Sequence, residues 1–240
     1  MSPDRAPGGH PLDDPFGTAL RGRQGAFARS HGTAIAYLRD VSVFYAHPVD
    51  LGDAAYADLA ALAGPGGTVG LRERRTPLPD GWELLESFEM VQYTGEQLST
   101  SHDAGLVELG EPDVPEMTEL VRLTDPGPFL PRTVELGRYL GYRDPADGRL
   151  LGMAGERARP PGWTEISAVC VHPDARGRGL ATRLVRAVGA GIVDRGDRPF
   201  LHTSAGNPAR RLYEGLGFHL RSSVTLDIVR VPRGRPEKEI

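Results

Sequence analysis

The residues best suited to chemistry form one run, Val169 to Arg186, which reads VCVHPDARGRGLATRLVR. Apolar, β-branched residues from Ile166 to Val171 predict a strand, Pro173 and Asp174 break it, and a Gly/Arg turn opens a helical repeat. In the turn Arg176-Gly177-Arg178-Gly179-Leu180-Ala181 two glycines let the backbone curl until successive N–H groups face one hollow at a helix N-terminus. Such a hollow attracts an anion, because amide donors and the positive end of the helix dipole act together. Arg176, Arg178, Arg183 and Arg186 add charge around it. A nucleotide-hydrolase loop would need GxxxxGK[ST], and a dinucleotide fingerprint a third glycine where Thr182 stands; neither pattern is present.

Other constellations offer less. Cys170 and His172 lie two apart on a strand and so face one way, as a thiol nucleophile and its base would. A lone cysteine inside an apolar strand is more often packed and inert. The seven histidines are scattered without metal-ligand spacing, and GxSxG is absent, so no metal is expected.

Several elements must position the turn. Leu180, Leu184, Val188 and Ile192 recur every four residues and predict a helix packed on a sheet. Pro199 to Thr203 reads as a strand, Asn207-Pro208 as the start of a second helix carrying Tyr213, and Leu220 to Arg230 as the last strand or strands. Upstream, Gly105 to Leu109 is a short strand and Asp113 caps a helix through Val121. Pro126 to Pro131 is a rigid loop, and Glu135–Arg143 and Arg149–Glu156 form a hairpin. The N-terminal third offers strands at Ala34–Leu38, Val41–Tyr45, Thr68–Leu71 and Trp82–Tyr93, with a helix at Asp53–Ala63. Gly81 to Met90 echoes Gly217 to Leu226, either as a decayed copy of one module or as two strands with similar alternation. Residues 94–104 are small and polar, which suits a linker.

At 240 residues the chain can bury a substantial core; 39% hydrophobic and 25% charged residues with no long apolar run place it among soluble proteins. The absence of a secretory signal and a single cysteine point to the cytoplasm. A net charge of −4 argues against nucleic-acid binding, so the local arginines suggest a small phosphorylated ligand.

Four elements, in this order, resemble the GCN5-related N-acetyltransferase (GNAT) superfamily. They are the strand Glu165–Val171, the loop with its Arg-x-x-Gly-x-Ala spacing, the segment Asn207-Pro208-Ala209-Arg210, and the block Leu212-Tyr213-Glu214-Gly215-Leu216-Gly217-Phe218. The last is similar to the superfamily's Ala-x-x-Leu-Tyr-x-x-x-Gly-Phe signature. The resemblance covers about residues 105 to 230 and looks most like the glycine N-acyltransferase-like branch. It implies an α/β (α+β) GNAT fold, a mixed central sheet flanked by helices, with a smaller N-terminal α/β unit. The expected organisation is a flexible tail at 1–15, an N-terminal domain at 16–100, an acetyltransferase domain at 101–232 and a tail at 233–240.

The resemblance also implies a chemistry. Acetyl-CoA would place its pyrophosphate on the N–H groups from Gly177 through Arg178, Gly179, Leu180, Ala181 and Thr182, with Arg176 and Arg178 adding charge. Its pantetheine arm would lie beside Val169, Cys170 and Val171 like an added strand, admitted by a bulge, while Asn207 and Arg210 would complete the cofactor site. Tyr213 matches the acid that protonates the leaving thiolate, against a packing role. Glu165 matches the base for the acceptor amine, sharing strand parity with Ser167, Val169 and Val171; the other reading is an exposed strand-end glutamate, with Glu156 and Glu135 in reserve. The acceptor would be a small-molecule primary amine, bound near Pro126–Pro131, Tyr139, Tyr142 and the N-terminal unit, in a monomer or homodimer without a membrane partner. An acyl-CoA-binding sensor without turnover is the competing reading.

Overall fold

In the computed structural model, which describes residues 9–233, the two halves of the sequence build one sheet. In chain order the helices are α1 (Pro15–Leu20), α2 (Asp53–Ala63), α3 (Val114–Thr124), α4 (Leu180–Asp194) and α5 (Arg210–Gly215). The strands are β1 (Ala28–His31), β2 (Ala34–Tyr37), β3 (Tyr45–Ala46), β4 (Thr68–Arg72), β5 (Glu83–Thr94), β6 (Val107–Leu109), β7 (Tyr139–Arg143), β8 (Leu150–Glu156), β9 (Trp163–Val171), β10 (Arg198–Ser204) and β11 (His219–Arg230). Eight strands form a mixed sheet in the order β4-β11-β5-β10-β9-β8-β7-β6, and β1-β2-β3 form a second, small sheet. This is the mixed sheet with flanking helices that the sequence led us to expect.

The expected boundary near residue 100 does not divide the sheet. Strand β5, from the N-terminal third, sits between β10 and β11. The two echoing segments are themselves antiparallel partners, paired from Tyr93↔Leu220 to Glu83↔Arg230. The stretch between β5 and β6 is also packed: Leu98 is buried against α4, and a Cβ at Gly189 would stand 2.4 Å from its Cδ2. The glycine makes room for that crossing.

Helix α4 anchors the core as its spacing predicts. Leu180, Leu184, Val188 and Ile192 are all buried, and each stabilises the fold by about 2 kcal/mol. On the opposite face α3 buries Met117 and Leu120. Helix α2 covers β4 and β11 through Leu59 packed with Val69, Leu71 and Val229.

Local expectations shift in several places. The N-terminal tail gives way by Pro11–Asp13, a 3-10 turn with Leu12 buried, while residues 1–8 and 234–240 lie outside the described residues. Thr133–Leu136 is a 3-10 turn, so Glu135 precedes β7 instead of starting it. The Val41–Tyr45 strand shrinks to Tyr45–Ala46. Asp113 accepts from the Gly110 N–H and so closes the turn before α3. Among the described residues no helix is long and apolar enough to cross a membrane.

Candidate active site

Strand β9 changes character half-way. It pairs in parallel with β10 only at Arg198↔Trp163, Pro199↔Thr164 and Phe200↔Glu165, while its other edge stays paired with β8 as far as Val171↔Gly152. Between Ser167 and Cys170 it carries one more residue than β8 does between Gly155 and Met153, and Ala168 takes φ +52°. That is a bulge, which bends a strand and ends its pairing on one side. Beyond it the edge of β9 that faced β10 is open for an extended chain. The bulge also reverses the alternation: Ala168 and Cys170 join the α3-side cluster, and Val169 the α4 side. Glu165 therefore does not share a face with Val169, contrary to strand parity counted from the sequence.

Past Val171 the chain makes a 3-10 turn at Pro173–Ala175 and enters the Gly/Arg loop. Gly177 and Gly179 adopt φ +76° and +72°, and a Cβ at either would meet nothing within 4 Å. The loop is thus an open concavity, and α4 starts from Gly179 without a side-chain cap, leaving its first-turn N–H groups to point outward. Arg176 and Arg178 are exposed, the latter bonded to the Asp174 carbonyl at 2.9 Å. Leu180 is buried, which turns the helix so that Ala181 and Thr182 stay half-exposed beside the hollow. Arg183 is committed elsewhere, bound to Asp103 at 2.6 Å and stacked 5.0 Å over Tyr142. The residues present suit a diphosphate.

Tyr213 lies on α5, buried, with its ring edge-on to Phe218 at 6.0 Å. Burial, and then the nearby Cys170, push its hydroxyl up to about 12, so it stays protonated. Cys170 is buried too, and burial pushes its thiol up to about 11, which leaves it a poor nucleophile. Val171 is half-buried beside Leu151 and Leu180. Asn207 accepts from the Ala209 N–H at 2.9 Å, so it orders the turn before α5, which begins only at Arg210. The Arg210 guanidinium is bound to the Tyr93 hydroxyl at 2.8 Å and the Ala205 carbonyl at 2.8 Å. Its contacts in this structure are internal.

Glu165 is not an exposed strand-end glutamate. It is wholly buried, held by two bonds from Arg157 at 2.9 and 2.6 Å and by His202 Nδ1 at 2.7 Å. Burial by itself would raise its pKa, but Arg157 and then His202 outweigh it and hold the carboxyl far below the usual range. A carboxylate so stabilised has little appetite for a proton. Of the reserves, Glu156 is buried and paired with Arg195 at 2.5 Å, and exposed Glu135 is bonded to Arg132, which lowers its pKa.

Arg157, His202 and Gln92 escaped notice in the sequence. His202 Nε2 meets the Gln92 amide at 2.9 Å, and Arg221 bonds the Gln92 carbonyl oxygen at 2.9 Å, so a polar chain runs beneath the sheet's central strands. The available signal was an arginine and a glutamate at facing positions of a hairpin, where the Arg157 N–H donates to the Glu165 carbonyl at 3.1 Å. The chain roofs a cleft of about 1030 Å³, bounded by β10, β5, β11, β4, the Asp125–Pro128 loop and the N-terminal segment. His202, Thr203 and Ser204 line it, on the part of β10 that has parted from β9. Pro126 and Pro128 line the cleft, whereas Tyr139 is sealed in the core with its hydroxyl unpartnered, and Tyr142 lies under Arg183. Among the described residues, no three His, Cys, Asp or Glu side chains are placed to hold a metal.

Comparison with known proteins bears on this geometry. The FR47-like protein family model matches residues 139–226, which hold the bulge, the loop and α5. A GNAT-family protein from Novosphingobium aromaticivorans is similar at 40% identity over 92% of this chain and 98% of its own, with a TM-score of 0.82. A GCN5-related N-acetyltransferase from Kribbella flavida (19% identity, 90% and 95% covered, TM-score 0.58) and a GCN5-related N-acetyltransferase-like protein from Streptococcus suis (15%, 89% and 92%, 0.55) share the fold. Among curated proteins none matches. These likenesses reach the superfamily and not its glycine N-acyltransferase-like branch. With a bulged, splayed strand leading into an amide-lined turn, and a GNAT protein alike along nearly its whole length, the chain belongs to the GNAT family of acyltransferases.

Proposed function

We propose that this chain transfers an acetyl group from acetyl-CoA to a primary amine, by direct attack with both substrates bound. The observation that carries the reading is that the splay has two neighbours: the open turn at Gly177–Gly179 at one end and, along β10, a cleft large enough for an acceptor. Acetyl-CoA supplies an activated thioester and a diphosphate handle. The N–H groups from Gly177 to Thr182, with Arg176 and Arg178, bind the diphosphate. The free edge at Val169, Cys170 and Val171 receives the amide arm as an added strand, and an N–H there polarises the thioester carbonyl.

Tyr213, protonated at neutral pH, donates a hydrogen bond and then its proton to the departing sulfur as negative charge develops there. Glu165 acts at a remove, fixing the His202 ring at the margin of the cleft. Asn207 lines the cleft and Arg210 fixes α5, so both hold Tyr213's helix in place. Thiol release from acetyl-CoA against a panel of primary amines tests the reading. Release that depends on the amine is expected. Tight CoA binding with no release from any amine would instead describe an acyl-CoA sensor.

A further inference from the structure

One wall of the cleft is bare where sheet packing would ordinarily cover it. Strands β5, β11 and β4 present Phe88, Met90, Val224, Leu226 and Ile228 there, all half-buried, beside Gly70. Helix α2 packs on the opposite face, through Val69, Leu71 and Val229, and the five side chains belong to none of the buried clusters. A Cβ at Gly70 would stand 3.4 Å from Leu226 Cδ1 and 3.7 Å from Ile228 Cδ1, so the glycine keeps the floor of the wall hollow. A contiguous apolar surface inside a concavity marks a ligand site.

Charge narrows the ligand further. Each arginine lining the cleft is already held by a carboxylate: Arg157 by Glu165 at 2.6 Å, Arg221 by Asp13 at 2.5 Å, and Arg72 by Asp14 at 3.9 Å. Glu73, Glu86 and Asp125, which also line it, have no ion-pair partner among the described residues. The field left over is negative. Adjacent strands lie about 4.8 Å apart, so from β10 across β5 to β11 the wall extends about 10 Å.

We infer that the acceptor is an elongated primary amine with an apolar body about 10 Å long and no anionic group of its own. This rests on the acetyl-transfer reading and names its acceptor. The nitrogen stands at β10 beside the splay, the body lies over Phe88, Met90, Leu226 and Ile228, and the unpaired carboxylates attract the incoming ammonium and repel amino acids and phosphorylated amines. A second copy of the chain would have to bring a cationic, apolar strip to the same wall.

The test is thiol release from acetyl-CoA with propylamine, hexylamine, octylamine, 6-aminohexanoate and an aminoglycoside. Each added methylene should raise kcat/KM about threefold to fourfold until the wall is filled. Replacing hexylamine by 6-aminohexanoate should lower it at least tenfold. Gly70→Val, which suits a strand, and Leu226→Asn should each lower the octylamine-to-propylamine ratio of kcat/KM at least tenfold while the Kd for CoA stays within twofold. Preference for the aminoglycoside or the amino acid, or a ratio unmoved by both variants, overturns the inference and leaves acetyl transfer standing. Conversion of a dimer to a monomer by Leu226→Asn in sedimentation also overturns it, since the wall would then be a subunit contact. If CoA binds but no amine releases thiol, the acetyl-transfer reading fails and this inference with it.

Discussion

The two halves of β9 are paired and packed differently. From Trp163 to Glu165 the strand is zipped to β10, and its one charged side chain, Glu165, is fixed by Arg157 and His202 in the interior. From Ala168 to Val171 it has left β10, a non-glycine residue sits in the left-handed region, and the chain runs into a turn with nothing packed against its glycines. Under the proposed acetyl transfer, one strand holds the fold with its first half and receives the cofactor with its second. An open edge is a liability in a sheet unless something holds the strand on either side of it, and the buried ion pair is placed one pairing step before the opening. The same residue type that could have served as a base is used as a clasp.

The sharpest way to break this contrast is at the open end. Gly179→Glu puts a side chain and a negative charge into the concavity at φ +72°, a conformation that disfavours any residue with a Cβ. CoA affinity should fall at least a thousandfold by calorimetry, while stability falls only by the backbone strain, about 1–2 kcal/mol, because no packed atom is displaced. Retained affinity would show that the turn does not receive the diphosphate.

The clasp should fail in the opposite sense. Glu165→Gln leaves the Arg157 guanidinium buried without its counter-charge and should cost about 3–5 kcal/mol in chemical denaturation. The sign with pH follows from the lowered pKa. Glu165 titrates in the folded protein well below the ordinary value of about 4.3 that it has when unfolded, so its contribution is complete above that value and is lost as pH falls beneath it. Wild type should show that acid limb and the variant should lack it. A loss below about 1 kcal/mol would mean the pair is not a clasp.

These contrasts explain which features were legible in the sequence. The turn, α4 and the Tyr213 block are local, and a run such as Leu180, Leu184, Val188, Ile192 declares its own helix and buried face. The bulge at Ala168 was expected only through family likeness, and its effect on parity was hidden: counting by twos from Glu165 put Val169 on the wrong face. The clasp joins residues from β8–β9, β10, β5 and β11, so no window of sequence contains it. For a similar reason the sheet runs across the boundary drawn near residue 100. Polar, small residues at 94–104 look like a linker, yet β5 is inserted beside β10 and its hydrogen bonds leave no trace in composition.

Between the extremes stands Tyr213, where the zipped core meets the open edge. Tyr213→Phe keeps the ring against Phe218 and removes only the hydroxyl. kcat should fall about a hundredfold, the low end of what a positioned acid contributes, while the Kd for CoA and the stability stay nearly constant. Equal losses in kcat and CoA affinity would make the residue a packing element alone.

The smallest effect sharpens the reading most narrowly. Cys170 lies on the open half of β9, two residues past the bulge, where a thiol would be well placed to accept an acyl group. Its burial and its raised pKa, about 11, argue that it never forms the thiolate that such a step requires. If the nitrogen attacks the thioester directly, Cys170→Ala should change kcat less than twofold to threefold, and its cost should appear in stability as the loss of a small buried side chain, about 1 kcal/mol. A hundredfold loss of kcat with CoA binding intact, or a mass increase of one acetyl group on the wild-type protein that the alanine variant lacks, would replace direct transfer with a covalent route. The open half of β9 would then supply a nucleophile as well as an edge.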